Sequence, residues 1–293
     1  MQEDQGCTQS KKYDGKDVGC DYHNILCVKW RNIPQRLCWT QMEFALFGFE
    51  LSIGPTWSAA QISIAIVVTL TFAATARLVR GVSTSGATVG AVISLALYLS
   101  AGLRAFLVLV SVFLLTLLAT RLGYGKKQRL GTAEKRGGRT ASQVLANLAV
   151  GAVCAVAFAL NGHAIFLLGC VSALAEAAAD TVSSEYGQAV SHNPRLITTW
   201  NIVPPGTDGA VSLPGTFAGI IAATIVSFIS ASVHLLSWRW MVASIGAATM
   251  GMLFDSLLGA SFERRHWLNN DAVNFLSTLV AALLAMSLGT MLR

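Results

Sequence analysis

The sequence predicts an all-α fold, a polytopic membrane helical bundle of about eight transmembrane helices (seven to nine), and three observations predict it. Mainly apolar runs of roughly 17–25 residues recur, each long enough to cross a hydrocarbon core of about 30 Å as a helix. The composition is 54% hydrophobic and 12% charged, with a mean hydropathy of +0.57. That balance excludes an ordinary soluble domain. The runs also lack the apolar–polar alternation of a barrel strand.

Residues 1–41 come first and differ from the rest. They are polar, carry no apolar core of signal-peptide length, and hold Cys7, Cys20, Cys27 and Cys38 in gaps unlike a zinc motif. They are expected to be a poorly ordered extension, upstream of a natural start at Met42; a disulfide-bearing tail is the alternative. Residues 42–293 are the expected integral membrane domain. Its helices are predicted at 58–76, 85–100, 103–121, 143–160, 163–180, 214–234, 240–260 and 271–291. The second is short, and the fifth ends in carboxylates. Gly90, Ala96, Ala173, Ala177 and Ala178 suit close helix packing in lipid.

Lys and Arg orient the bundle. The loops after the first, third, fifth and seventh helices share a side and hold Arg77, Arg80, Arg121, Lys126, Lys127, Arg129, Lys135, Arg136, Arg139, Arg195, Arg264 and Arg265, while the opposite loops offer Arg104 and Arg239. The basic loops are therefore expected to face the cytoplasm, or the stroma or matrix of an organelle. Both termini would face away. The expected host is a bacterial inner membrane or an organellar membrane.

Four features on that same side exceed what insertion requires. The first is the Gly-rich basic loop from Gly123 to Gln143, leading straight into a helix start that suits a phosphate; a topology signal is the plainer reading. Gln143 and Asn147, one turn apart on an apolar helix, favour a site. The second runs from Glu176 to Gln188. Glu176, Asp180 and Ser184 fall on one helical face among alanines, and carboxylates beside a span are costly. Structural pairing with an Arg is the alternative. The third, from Pro194 to Ser212, is broken by Pro and Gly, so its hydroxyls and amides can wrap phosphate oxygens or simply form a turn. The fourth sets Asp255 between Gly251 and Gly259, then Arg264, Arg265, Asn270 and Asp271, with Asp271 readable as a first-turn helix acid.

A topology signal needs only Lys and Arg, yet Glu176, Asp180, Glu185, Asp208, Asp255 and Asp271 gather with them. Acids and bases together beside lipid suggest magnesium and a phosphate-bearing substrate, because magnesium is commonly held by one or two carboxylates plus substrate phosphates. No Walker P-loop is present to mark a nucleotide site.

Motifs in this order resemble the transmembrane protein 19 family (domain of unknown function 92). They are Gly138-Arg139-x-Ala141-x-Gln143 with Asn147, Asp180-Thr181-x-x-Ser184-Glu185-x-Gly187, Ile197-Thr198-Thr199 with Gly206-Thr207-x-Gly209-Ala210-Val211-Ser212, and Asp255-Ser256-Leu-Leu-Gly259 with Asn270-Asp271-x-Val-Asn274. The resemblance spans about residues 60–291. The family's best-defined members are plant phytyl-phosphate kinases, and Thr140 and Glu263 depart from its usual Asn and Gln. It implies a prenyl-phosphate kinase that uses Mg²⁺ and a nucleoside triphosphate, CTP favoured. On that reading Asp180, Glu185 and Asp255 are catalytic and hold the metal, with Asp271 as a further metal ligand. Lys126, Lys127, Arg139, Gln143, Asn147, Arg195, Thr198, Thr207 and Ser212 are the expected phosphate-binding residues. The isoprenoid tail would lie between apolar helices. The expected partners are the bilayer and the prenyl phosphate, with no nucleic acid.

Two rival classes use similar parts. Another CTP-dependent lipid kinase or a cytidylyltransferase needs the same metal and phosphate groups. A lipid or small-molecule transporter is the non-enzyme alternative, although the chain has no evident internal repeat and its polar residues sit at one face.

Overall fold

Five of the seven long helices among the described residues start at a capping side chain. The computed structural model describes residues 57–134 and 137–292, together with residues 12–13 and 16–17. In that early part, strands β1 (Lys12–Tyr13) and β2 (Lys16–Asp17) pair antiparallel. Apart from those four residues, the expectations for residues 1–41 and Met42, and those for Lys135 and Arg136, lie outside the described residues.

Helix α1 (Ala59–Leu78) starts at a capping box in which Ser58 and Gln61 bond each other's backbone amides. Helix α2 (Thr84–Arg121) is capped by Ser83. A short α3 (Tyr124–Leu130) stands between left-handed glycines 123 and 131. Helix α4 (Ala141–Asn161) repeats the capping box with Thr140 and Gln143. Then follow α5 (Ile165–Val190), the two-residue strands β3 (Arg195–Leu196) and β4 (Ala210–Val211), α6 (Leu213–Ser232), α7 (Trp238–Ser261) and α8 (Asn270–Met291). Seven of these helices are long and apolar enough to cross a membrane.

Helix α2 accounts for the difference between seven helices and eight predicted spans. Its 38 residues would extend about 57 Å if straight, roughly twice the hydrocarbon thickness. The helix breaks at Ala101 and Gly102, where Gly102 takes φ 74°. The two ends then return to each other: Arg121 donates a hydrogen bond to Val79 O just before the Ser83 cap. The element is a hairpin of two arms, residues 84–100 and 103–121, close to the predicted pair.

One pole of the bundle carries the turns at 101–102, 162–164 and 233–237. There Trp57 Nε1 donates to Leu99 O at 3.1 Å and Arg104 to His234 O at 2.9 Å. The other pole carries α3, the β3–β4 hairpin and the α7–α8 turn. Exposed Trp238 near the first pole and exposed Trp200 and Trp267 near the second fit the two headgroup levels.

Helix α5 is the axis of the bundle. It touches α2, α4, α6, α7 and α8, and every residue from Leu167 to Ala179 is buried. Small side chains permit this: a Cβ on Gly151 would lie 3.1 Å from Leu174. The predicted end at 180 was too early. The apolar run stops there, but Thr181–Val190 continue the helix into the polar pole.

Candidate functional site

The acidic face of α5 rises from the core to the surface in three steps. Glu176 is 1% exposed, Asp180 is half-buried and Ser184 is exposed. Oε1 of Glu176 has no hydrogen-bond partner among the described residues. A carboxylate at that depth costs about 2.5–3.5 kcal/mol even on lenient scales, so the sequence must make deliberate room for it. Gly251 of α7 does so, because a Cβ there would fall 2.6 Å from Glu176 Cγ.

One turn beyond Gly251, Asp255 accepts a hydrogen bond from Ser277 Oγ of α8 at 3.3 Å. Glu176, Asp180 and Asp255 lie within Coulombic range of one another. Glu263, just past α7, is within range of Asp180 and Asp208. Loop 203–212 reaches this cluster because Gly209 packs on Gly259 and Ala260 at the end of α7.

Arg139 supplies the neighbouring positive charge. Its backbone is clamped to the α1–α2 loop, with Ser83 N donating to Arg139 O at 2.9 Å and Arg139 N donating to Gly81 O at 3.2 Å. Gly138 makes this clamp possible. It takes φ 80°, and a Cβ there would lie 2.6 Å from Val82 N. The guanidinium of Arg139 donates to Thr181 Oγ1 at 3.2 Å and sits within Coulombic range of Asp180.

Behind Arg139 opens a cavity of about 430 Å³. It lies between α1, the two arms of α2 and α4. Phe72, Leu109, Phe113 and Leu148 make its wall apolar, and Arg139 is at the end nearest the carboxylates. Asn147 and Ala177 also border it.

The structure therefore brings Asp180, Asp255, Arg139 and Asn147 into one region. Other expected residues have structural work. Lys127 is fully buried; its Nζ donates to Ala119 O at 3.1 Å and Thr120 O at 2.8 Å, and forms an ion pair with Glu185. Its three protons are thus engaged, leaving none for a phosphate in this arrangement. Glu185 is tied to Lys127 while staying within range of Asp180. Lys126 donates to Ala189 O at 2.8 Å. Gln143 caps α4 and donates to Glu134 Oε2 at 3.3 Å, and Asn147 donates to Gln143 O at 2.9 Å.

Arg195 donates to Trp200 O within its own hairpin at 2.8 Å, beside exposed Thr198. Thr207 donates to Pro204 O at 2.7 Å, and Ser212 caps α6. Asp271 occupies the first turn of α8, the position its helix-acid reading requires.

Two carboxylates carry more of this site than their sequence context suggested. Glu176 stood out on the acidic face without an assigned role. Glu263 entered only as a departure from a family pattern, and it opens the 3₁₀ turn Glu263–Arg265 just past α7. Among the described residues, no three His, Cys, Asp or Glu side chains are grouped to hold a metal by themselves. Magnesium tolerates such a set, since it keeps waters and takes substrate phosphates beside one or two carboxylates. The unpartnered oxygen of Glu176 and the clustered acids fit that demand.

Comparison with known proteins extends the reading. The integral membrane protein family DUF92 matches residues 67–282. Protein VTE6, chloroplastic, of Arabidopsis thaliana is 32% identical over 244 residues, covering 80% of this chain and 72% of that protein. An uncharacterized membrane protein of Synechocystis sp. is 34% identical, covering 67% of this chain and 78% of its own. An uncharacterized membrane protein of Methanocaldococcus jannaschii is 36% identical, covering 63% and 76%. No solved structure matches the chain.

Proposed function

The chain belongs to the integral membrane protein family DUF92, and from that premise we propose that it transfers a phosphoryl group from a nucleoside triphosphate, CTP favoured, to a prenyl (phytyl-like) monophosphate. One observation carries the reading: Arg139 stands between an apolar cavity and the carboxylate of Asp180, within whose Coulombic range Asp255 also lies. A lipid phosphate needs an apolar wall for its tail and a cation for its head. A nucleotide arriving with its metal needs acids alongside.

The chemistry asks little proton transfer of the protein. A phosphate monoester is largely ionised near neutral pH, its second pKa being about 6. One of its oxygens forms a bond to the donor's terminal phosphorus, the bond from that phosphorus to its bridging oxygen breaks, and nucleoside diphosphate leaves. Arg139 orients and neutralises the acceptor phosphate, so catalysis is mainly positioning and charge stabilisation. Asp180 and Asp255 are the residues that would hold Mg²⁺, with Glu176 behind them. Bound there, the ion supplies charge neutralisation for the transferring phosphoryl group. The Lys127–Glu185 pair fixes α3 against α5, beside Asp180.

The basic pole faces the cytoplasm or stroma in this proposal, following the distribution of Lys and Arg between the loops. The test is transfer by the purified protein in detergent with magnesium, labelled CTP, ATP, GTP or UTP, and phytyl, geranylgeranyl or farnesyl monophosphate. Diphosphate formed from a monophosphate, and lost in Asp180→Asn, supports the kinase. Consumption of no nucleotide with any acceptor by the folded protein overturns it, and lipid binding without consumption favours a carrier.

A further inference from the structure

Three arginines surround the polar end of the apolar cavity, and two of them had counted only as topology charges. Besides Arg139, the lining includes Arg80 and Arg121. Arg80 closes the C-terminus of α1 with its backbone at φ 57°, a left-handed position that glycine takes more readily. Gly81 follows directly, so the chain could have placed glycine at that turn at lower strain. Among the described residues the Arg80 guanidinium has no hydrogen bond or ion pair, and it is solvent-exposed. Arg121 projects from the other arm of the hairpin and reaches Val79 O. Arg121 thus stands beside the Arg80 turn, and both cations line one cavity.

The wall also contains a gap where a side chain is missing. Gly90, on the first arm of α2, borders the cavity. A Cβ there would meet nothing within 4 Å. Other glycines at helix contacts in this bundle have a neighbour pressing on them, as Gly251 and Gly219 do. Gly90 has no such neighbour, so its lack of a side chain leaves space open. The volume of about 430 Å³ falls within the range of roughly 300–1,000 Å³ common for small-molecule sites.

We propose that this cavity is the slot for the isoprenoid chain of a lipid monophosphate, with Arg80 and Arg121 gripping its phosphate beside Arg139 and Gly90 keeping the slot open. The identity of the ligand rests on the kinase reading above; the slot itself rests on the cavity and its arginines.

Equilibrium binding without nucleotide separates the two. Tritiated geranylgeranyl monophosphate and geranyl monophosphate are titrated against the full chain in nanodiscs. Gly90→Phe is expected to weaken both ligands at least about tenfold, because Gly90 lies one turn, about 6 Å, from Gly86 at the Arg139 end and a helical side chain leans toward that end. Arg80→Gln and Arg121→Gln are each expected to weaken both ligands about equally, near tenfold, as loss of a charged hydrogen bond implies. Gly246→Phe is the folding control. Gly246 is another helical glycine with nothing within 4 Å, it lies on α7 away from the cavity, and its substitution should leave both affinities unchanged.

No loss in Gly90→Phe, or the same loss in Gly246→Phe, overturns the slot. If the Gly90→Phe loss appears while no acceptor consumes nucleotide, the slot stands and the kinase reading falls. If transfer proceeds and Gly90→Phe is silent, the kinase stands and the slot falls.

Discussion

The two poles of this bundle are ends of the same helices, yet they are built to different rules. At the pole of Gly102, Gly162 and His234 the connections are short turns. Its described contacts include a tryptophan and an arginine bonded to backbone carbonyls. At the opposite pole the connections lengthen into α3, a β-hairpin and a 3₁₀ turn, and acids outnumber what helix capping needs. The contrast teaches that crossing a membrane explains the first pole completely and the second only in part. What remains at the second pole is a set of acids in Coulombic range of one another, Glu176, Asp180, Asp255 and Glu263, with Arg139 beside Asp180.

Substitutions can break this contrast, and the largest effect is expected in the buried ion pair. Lys127→Met leaves Glu185 without its partner and should cost about 3–5 kcal/mol of stability. The double variant with Glu185→Leu should recover much of that loss, measured by thermal denaturation in detergent. A normal melting temperature in Lys127→Met would show that the pair does not hold the second pole together. Next comes Asp180→Asn, expected to lower the transfer rate roughly 10²–10³-fold while the protein stays folded. Full activity in that variant removes Asp180 from the site.

A finer test uses two glycines of one helix. Gly251→Ala drives a methyl into Glu176 and should destabilise by about 1–3 kcal/mol, exceeding the helix-propensity gain of about 1 kcal/mol. Gly246→Ala meets open space and should stabilise by up to that same ~1 kcal/mol. Equal signs in the two melting curves would contradict the close approach of α7 to Glu176. The smallest effect belongs to the first pole. Arg104→Ala removes a hydrogen bond to His234 O and should cost about 0.5–1.5 kcal/mol, with unchanged transfer.

Much of the fold was legible because hydropathy marks spans directly. Even the hairpin of α2 was visible, since Ala101 and Gly102 fall in the gap between the predicted runs 85–100 and 103–121. The extension of α5 was not, because Thr181–Val190 are polar and hydropathy cannot tell a helix leaving the membrane from a loop. Helix α3 was hidden for the same reason in Tyr124–Leu130.

Within the site, the i, i+4 spacing of Glu176 and Asp180 could be read from the chain, as could the glycines around Asp255. The pairing of Lys127 with Glu185 could not, because 58 residues separate them and local pattern says nothing about which cation meets which acid. Nor could the cavity, which exists only where α1, α4 and both arms of α2 meet. Its arginines had a sufficient explanation as topology signals until their positions around one opening were known.

The central place of α5 has a consequence for how the protein is made. A nascent helix is sorted between the translocation channel and lipid by its own hydrophobicity, and α5 carries Glu176 near its middle, at a cost of about 2.5–3.5 kcal/mol. In the finished protein that residue meets neighbouring helices in place of lipid. The segment's entry into the bilayer is then tied to the arrival of its neighbours, so biogenesis and assembly become one event. In an insertion assay with glycosylation reporters, α5 alone is expected to insert less than α5 with Glu176→Leu, and the difference should shrink when α4 precedes it. Equal insertion of the lone helix and its Leu variant would show that α5 enters lipid unaided.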